Sequence, residues 1–377
     1  MEAIVFWACA FLIVYPYAIY PTVLVLLNRL LKRRAHVGDP EYLPTVSIVL
    51  PVHNEAVRVA EKVRNILSLD YPLDRLQILV VGDGCTDDSL QRAKEAGGEH
   101  VTVIPLAERA GKAAALNAGV AHATGEIVVF TDAGILLEPQ SLRHLVAHFA
   151  DPAVGCVSGE DYIEGTASEG LYGRLELLLR REEALLHSIA GASGCFYAQR
   201  RMLCEPFKAG MAPDFLSVLN TVRLGKRALA EPAARGSMTA TSSQRAEFTR
   251  KVRTFLRGLT ALFGNATLLN PLKYPAFSFI LWSHKLMRWF APLAMIGCLV
   301  TSFLLSEQPL YLSLFIAQVA LYGAAIAGLR FPTLAERLSI VRLSAFFLLV
   351  NAAALKALTL WALGTRIEVW QPTRRPH

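Results

Sequence analysis

Charge is scarce in this chain. Only 18% of its 377 residues are Asp, Glu, Lys or Arg, against about a quarter in an ordinary globular protein. Hydrophobic residues reach 53%, too many for a purely soluble protein of this length, so membrane spans are expected. The six cysteines, at 9, 85, 156, 195, 204 and 298, include no Cys-x-x-Cys pair and none at zinc spacing with histidine. That argues against a zinc module or a disulfide framework and reads as thiols in a reducing compartment. There is no basic face interleaved with aromatics, so nucleic acid is not an expected partner. Internal repeats and low-complexity tracts are missing too. The net charge of +7 instead collects beside apolar runs, as in Arg29-Leu-Leu-Lys-Arg-Arg34, a pattern suited to membrane topology and anionic lipid.

What is present divides the chain into four parts. Residues 1–34 hold an apolar run, Ala3 to Leu31, and its basic flank. The run is too long for a signal-peptide core and reads as a retained transmembrane helix whose C-terminal end is cytoplasmic. Residues 41–265 alternate strand-length apolar runs with amphipathic stretches, the pattern of a largely parallel sheet covered by helices on both faces. Residues 266–285 are aromatic, proline-broken and flanked by lysine, which suits a helix at the membrane surface. Residues 286–377 provide two to three spans: Trp289 to Leu305, Leu310 to Leu329, and Leu338 to Leu363. The last contains Arg342, Asn351 and Lys356, so it reads equally as a span or as an interfacial or re-entrant segment.

Within the second part, strands are expected at 46–52, 76–81, 101–104 and 127–130, with helices over 55–69, 87–96 and 111–122. Chemistry-bearing residues fall where strands meet helices, the ends at which open α/β sheets bind ligands. Asn54 and Glu55 follow the first strand and suit either a nucleoside contact or a helix cap. Asp83, in Gly82-Asp-Gly84, can accept a hydrogen bond from a base or ribose, with the glycines permitting close backbone approach. Lys112 lies in Arg109-Ala-Gly-Lys112, which lacks the spacing of a P-loop. It could meet phosphate at a helix N-terminus, but the segment alone favours a solvated lysine. Asp132, in Thr131-Asp-Ala-Gly134, is placed either to hold Mg²⁺ or Mn²⁺ on a diphosphate or to cap a helix. Asp214 follows Pro213 and suits a general base or a helix cap. Arg250 and Arg253 could neutralise a leaving diphosphate or meet lipid headgroups.

Taken in order, these motifs resemble the family 2 inverting glycosyltransferases of GT-A fold, in the membrane-integrated branch that includes polysaccharide synthases. The resemblance spans nearly the whole chain. It implies a Rossmann-like, nucleotide-sugar-binding α/β domain inserted between an N-terminal transmembrane helix and a C-terminal transmembrane bundle. Asp83 would contact the uracil of a UDP-sugar, with Asn54, Glu55 and Lys112 around the nucleotide. Asp132 would be the surviving metal carboxylate, Asp214 the catalytic base, and Arg253 the arginine that meets the leaving UDP beside Arg250. Ser193-Gly-Cys-Phe-Tyr-Ala-Gln-Arg200 resembles the segment on the acceptor side. Three positions depart from the pattern. Gly134 replaces a second metal carboxylate, weakening the divalent site. Pro213 replaces an acidic neighbour of the base. Arg250-Lys-Val-Arg-Thr254 lacks the Gln and Trp that accompany processive synthesis. The implied activity is transfer of a sugar from a UDP-sugar to a glycan or lipid acceptor in envelope or exopolysaccharide synthesis, at a bacterial-type plasma membrane with the catalytic domain cytoplasmic. Proteins of such a pathway are possible partners. The alternative is a catalytically impaired scaffold that binds nucleotide sugar.

Overall fold

The computed structural model describes residues 1–164, 170–239 and 244–367. A single eight-stranded sheet organises the middle of the chain. Its strands are β1 (Val46–Val52), β2 (Leu76–Asp83), β3 (Val101–Leu106), β4 (Ile127–Thr131), β5 (Leu136–Leu137), β6 (Val154–Glu164), β7 (Phe196–Arg200) and β8 (Arg227–Thr239). They lie in the order β3-β2-β1-β4-β7-β6-β8-β5. β1 pairs in parallel with β2 on one side and β4 on the other. Every residue of β1 is buried, as expected of a central parallel strand covered on both faces. Alternate side chains serve two cores. Val49, Leu79, Val128 and Phe130 meet the Lys112–His122 and Pro213–Arg223 helices, while Ile48, Leu50, Val80 and Val129 meet the Val59–Leu67 and Ser141–Ala147 helices.

The sheet is mixed rather than largely parallel. β7 runs against both β4 and β6, and β5 runs against β8. The cause lies in the connection from β6 to β7. β7 starts opposite the end of β4, with Phe196 beside Thr131 and Arg200 beside Ile127. The chain therefore leaves and re-enters the sheet at the same end, and β7 must run backwards. The expected 55–69 helix begins only at Val59. The Glu55 and Ala56 amides are taken by the Ser89 hydroxyl and the Asp87 carboxylate, at 2.8 and 3.2 Å.

Among the described residues four helices are long and apolar enough to cross a membrane: Glu2–Leu30, Pro275–Leu304, Pro309–Arg330 and Ser339–Ala362. The first contains a π-helical turn, Tyr15–Ile19, at the prolines that remove backbone donors. Ser339–Ala362 is one continuous helix, so Arg342, Asn351 and Lys356 do not break it. The stretch expected to lie on the membrane surface does not stop at Lys285. Its helix starts at Pro275 and runs unbroken to Leu304. Phe277, Leu281 and Leu286, in its first half, are buried and belong to the same core as the Pro213–Arg223 helix. The Pro275–Leu304 helix thus joins the layer over the sheet to the apolar bundle.

Candidate active site

The carboxyl ends of β1, β2 and β4 come together, and each carries one of the expected polar residues. After β1 the backbone turns left-handed at Asn54, with φ of 53°, a conformation asparagine tolerates better than most residues. Its side chain bridges to the next loop, accepting from the Thr86 amide at 2.9 Å and donating to the Thr86 hydroxyl at 3.1 Å. Asn54 thus ties two loops together and does not line the cavity described below. Glu55 does line it and lies 3.7 Å from Arg58.

Asp83 ends β2 and is 1% exposed. Its carboxylate accepts the backbone amides of Ala110 at 2.7 Å and of Gly111 at 2.9 and 3.0 Å. The loop that supplies them folds over Gly84, whose φ is +59° and whose hypothetical Cβ would lie 2.5 Å from the Arg109 amide. A side chain at 84 would lift that loop away. Asp83 is therefore a buried anchor in this structure and does not face the cavity wall.

Beyond β4, Asp132 meets Lys112, the first residue of its helix. The Lys112 ammonium donates to Asp132 Oδ1 at 2.6 Å and to the Gly194 carbonyl at 3.2 Å. Its side chain is 13% exposed, so it is a paired cation and not a solvated surface lysine. Below it, the fully buried Lys62 donates to the Ile135 carbonyl at 2.7 Å, and Asn65 holds both backbone groups of Leu137. The turn that carries Asp132 is thereby clamped from underneath.

Asp214 sits in the first turn of the Pro213–Arg223 helix, with Pro213 at a helix start where its missing amide is not needed. Gly194 lies against its carboxylate: a Cβ at 194 would be 3.8 Å from Asp214 Oδ2. Burial raises the Asp214 pKa above the usual carboxylate value, and Lys112 and Arg257 pull part of the way back. An acidic neighbour is not needed for this, since desolvation alone disfavours the anion.

The opposite wall comes from the Gln244–Gly264 helix. Arg250, Arg253 and Arg257 follow three and four residues apart, so they share one face, and all three line the cavity. Arg250 forks onto Glu247 at 2.7 and 2.6 Å. Burial, with Arg257 and Arg250 nearby, lowers the Arg253 pKa.

These groups enclose a cavity of about 450 Å³. It brings together Glu55, Lys112, Asp132, Asp214, Arg250 and Arg253, and leaves Asn54 and Asp83 behind its wall. It also collects residues that the sequence did not single out: Arg257, and, on the membrane side, Tyr17, Glu176, Lys285 and Arg288. Arg257 was detectable as the next helical step after Arg253. The others are scattered over three segments and carry no local signal.

The described residues contain no group of three His, Cys, Asp or Glu able to cage a cation. Asp132 offers one carboxylate, already shared with Lys112, and Gly134 offers none. Such a set fits Mg²⁺ or Mn²⁺ only when the ion arrives with a diphosphate and keeps water in its shell.

Residues 47–206 match the family model described as Glycosyl transferase family 2. The undecaprenyl-phosphate 4-deoxy-4-formamido-L-arabinose transferase of Sodalis glossinidius (strain morsitans) is 38% identical over 111 residues, which are 28% of this chain and 34% of that protein. The poly-beta-1,6-N-acetyl-D-glucosamine synthase of Staphylococcus epidermidis is 26% identical over 179 residues, 45% of this chain and 42% of that one. The chain thus spans about a third to two fifths of the length of these curated relatives. Among solved structures, the mannosyltransferase PcManGT from Pyrobaculum calidifontis, in complex with GDP-Man and Mn²⁺, superposes with a TM-score of 0.76 at 25% identity. The match covers 97% of this chain and 100% of that one.

Proposed function

We propose that this chain, which carries a family 2 glycosyltransferase domain of GT-A fold, transfers a sugar from a nucleoside-diphosphate sugar to the hydroxyl of a glycan or lipid-linked acceptor at a membrane. The observation that supports it most is the sharing of one cavity by Asp214 and the Lys112–Asp132 pair. The acceptor O–H gives its proton to the Asp214 carboxylate while its oxygen bonds to the anomeric carbon. The bond from that carbon to the diphosphate breaks from the opposite side, so the configuration inverts and the nucleoside diphosphate departs. Lys112 and Arg253 face the charge that grows on the leaving group. A Mg²⁺ or Mn²⁺ ion held by Asp132 and the diphosphate would add further neutralisation there. UDP is the nucleotide we assign, on the family resemblance. The basic cluster after the first span supports a catalytic domain on the cytoplasmic side of a bacterial-type plasma membrane.

The test is nucleoside diphosphate release by the full chain in detergent, with Mn²⁺ or Mg²⁺, across UDP- and GDP-sugars. Release from a UDP-sugar that disappears in Asp214→Asn supports the proposal. Release from GDP-sugars alone would replace the nucleotide assignment. Tight UDP binding without turnover on a broad donor and acceptor panel would leave a nucleotide-sugar-binding scaffold instead.

A further inference from the structure

Away from the cavity, four titratable side chains form one hydrogen-bonded row. Asp151 Oδ2 lies 3.1 Å from His36 Nε2, His36 Nδ1 lies 2.9 Å from His148 Nδ1, and His148 Nε2 lies 2.5 Å from Glu231 Oε2. His36 belongs to the linker after the Glu2–Leu30 helix, His148 to the turn that ends the Ser141–Ala147 helix, and Glu231 to β8. None of the four lines the cavity. Of residues 31–38, only His36 and Gly38 are not exposed. Gly38 rests on the same helix end. A Cβ there would lie 2.8 Å from that of Ala147, and the Asp39 amide donates to the Ala147 carbonyl at 3.0 Å. The row therefore fastens this linker to the sheet domain.

Counting protons shows what the row needs. Each carboxylate also accepts a backbone amide through its other oxygen, Asp151 from Ala153 at 2.8 Å and Glu231 from Ala233 at 2.7 Å. The Ala153 amide holds the Asp151 pKa below the usual carboxylate value. Burial pushes Glu231 upwards, but the hydrogen bonds from His148 and the Ala233 amide outweigh it. Both carboxyls are therefore acceptors, and the three contacts of the row need three ring protons. Two neutral imidazoles carry one each. With both facing the carboxylates, two bare Nδ1 lone pairs would meet at 2.9 Å. The row is satisfied when it holds one proton more, shared between the Nδ1 atoms, with one ring cationic. A fourth ring proton would set two N–H groups head to head. The other charged groups around the row do not favour that extra proton. Arg227 acts on Asp151 and His144 on Glu231. Arg200, paired with Glu126, donates to the Asp151 carbonyl at 3.0 Å, and Arg33 acts on Arg227. The two carboxylates of the row supply the opposing charge.

We propose that His36, His148, Asp151 and Glu231 form a proton-operated clasp that holds the linker of the first membrane helix against the sheet domain, closed by one shared proton and opened when that proton leaves. The clasp does not depend on the reaction proposed above. The test uses the full chain in dodecylmaltoside from about pH 6 to about pH 9, a window that begins near ordinary imidazole titration. One readout is hydrogen exchange at the Asp39 amide, corrected for the intrinsic pH dependence of exchange. Its protection should fall by about tenfold or more between the acid and alkaline ends. The second readout is the melting temperature. A folded state that binds one proton more than the unfolded chain loses stability as pH rises. The melting difference between wild type and His36→Ala should therefore be largest at about pH 6 and shrink towards about pH 9. Lys62 contributes equally to both proteins, so the difference isolates the clasp. His148→Gln should behave as His36→Ala does. His148 is 4% exposed, so if that variant does not melt cooperatively, the exposed linker variant His36→Ala decides alone. His144→Gln, beside the row but outside it, should keep the wild-type dependence. Equal protection of the Asp39 amide at both ends of the window, or a melting difference that stays flat with pH, would overturn the clasp. So would Zn²⁺ that raises the melting temperature of the wild type and not of His36→Ala, because a metal ion and not a proton would then join the two rings.

Discussion

The two ends of the cavity treat charge in opposite ways. At the donor end the polar side chains have protein partners: Lys112 holds Asp132, Asp83 takes the Ala110 and Gly111 amides, and Asn54 bridges to Thr86. At the membrane end Arg257 and Arg288 keep unsatisfied nitrogens. Paired charges are held rigidly in place, whereas a buried donor without a partner carries an uncompensated desolvation cost. Asp214 lies between the two ends, lifted in pKa by burial and restrained by cations from both sides.

The comparison breaks most severely at Asp214. Asp214→Asn should lower the turnover rate by about 10²–10⁴-fold, the usual worth of a positioned base, measured as nucleoside diphosphate release. The wild-type rate should fall on the acid side at a pH above the ordinary carboxylate range, because only the anion accepts the proton. Stability should move the other way. A carboxyl whose folded pKa is raised stabilises the fold only while protonated, and that contribution is lost as pH rises through the folded value. Asp214→Asn should therefore melt higher than wild type at neutral pH and converge with it in acid.

Next in size is the donor pair. Lys112→Met strands a carboxylate that is 27% exposed and should raise the KM for the nucleotide sugar by roughly ten- to a hundredfold, with acceptor KM little changed. If both rise equally, the two ends are not separate. Beneath the pair, burial lowers the Lys62 pKa from 10.5 to about 7. Between those values the unfolded chain binds more protons than the folded one, so stability should rise with pH across that window. Melting temperatures of Lys62→Met in detergent should lose that slope. Asn54→Ala removes two bonds and leaves an alanine at positive φ, which should cost about 1–3 kcal/mol. Asn54→Gly should cost less, since the backbone strain disappears. The smallest effect belongs to a pair outside the cavity. Arg223 and Glu205 are 36% and 40% exposed, and Arg223→Ala should change stability by no more than about 0.5 kcal/mol.

Legibility followed range of interaction. β1 was expected at 46–52 and is found there, and β2, β3 and β4 each extend past their expected ends by one or two residues. These strands are continuous apolar runs bounded by turn residues, a signal contained in the segment itself. The first apolar helix was visible from hydropathy, whereas the last segment read equally as interfacial or re-entrant and only the structure makes Ser339–Ala362 one continuous helix. The reversal of β7 was not visible, because its direction depends on where the preceding connection ends. Nor was the Lys112–Asp132 contact, which joins a helix start to a strand end twenty residues on. Lys112 viewed alone suggested a surface residue. Asp83 viewed alone suggested a ligand contact, and the folded loop at 108–111 has claimed its carboxylate.

By itself the sequence determined the first four of the eight strands, which segments are apolar enough for a membrane, and that acidic and basic residues stand at strand and helix ends. Hydrophobic periodicity is a near-neighbour property, so a single segment can express it. Tertiary structure alone decided which of those charges face the cavity, which are spent on the backbone, and which stay unpaired. Those outcomes depend on partners brought from distant segments, and burial then sets how much each pairing is worth.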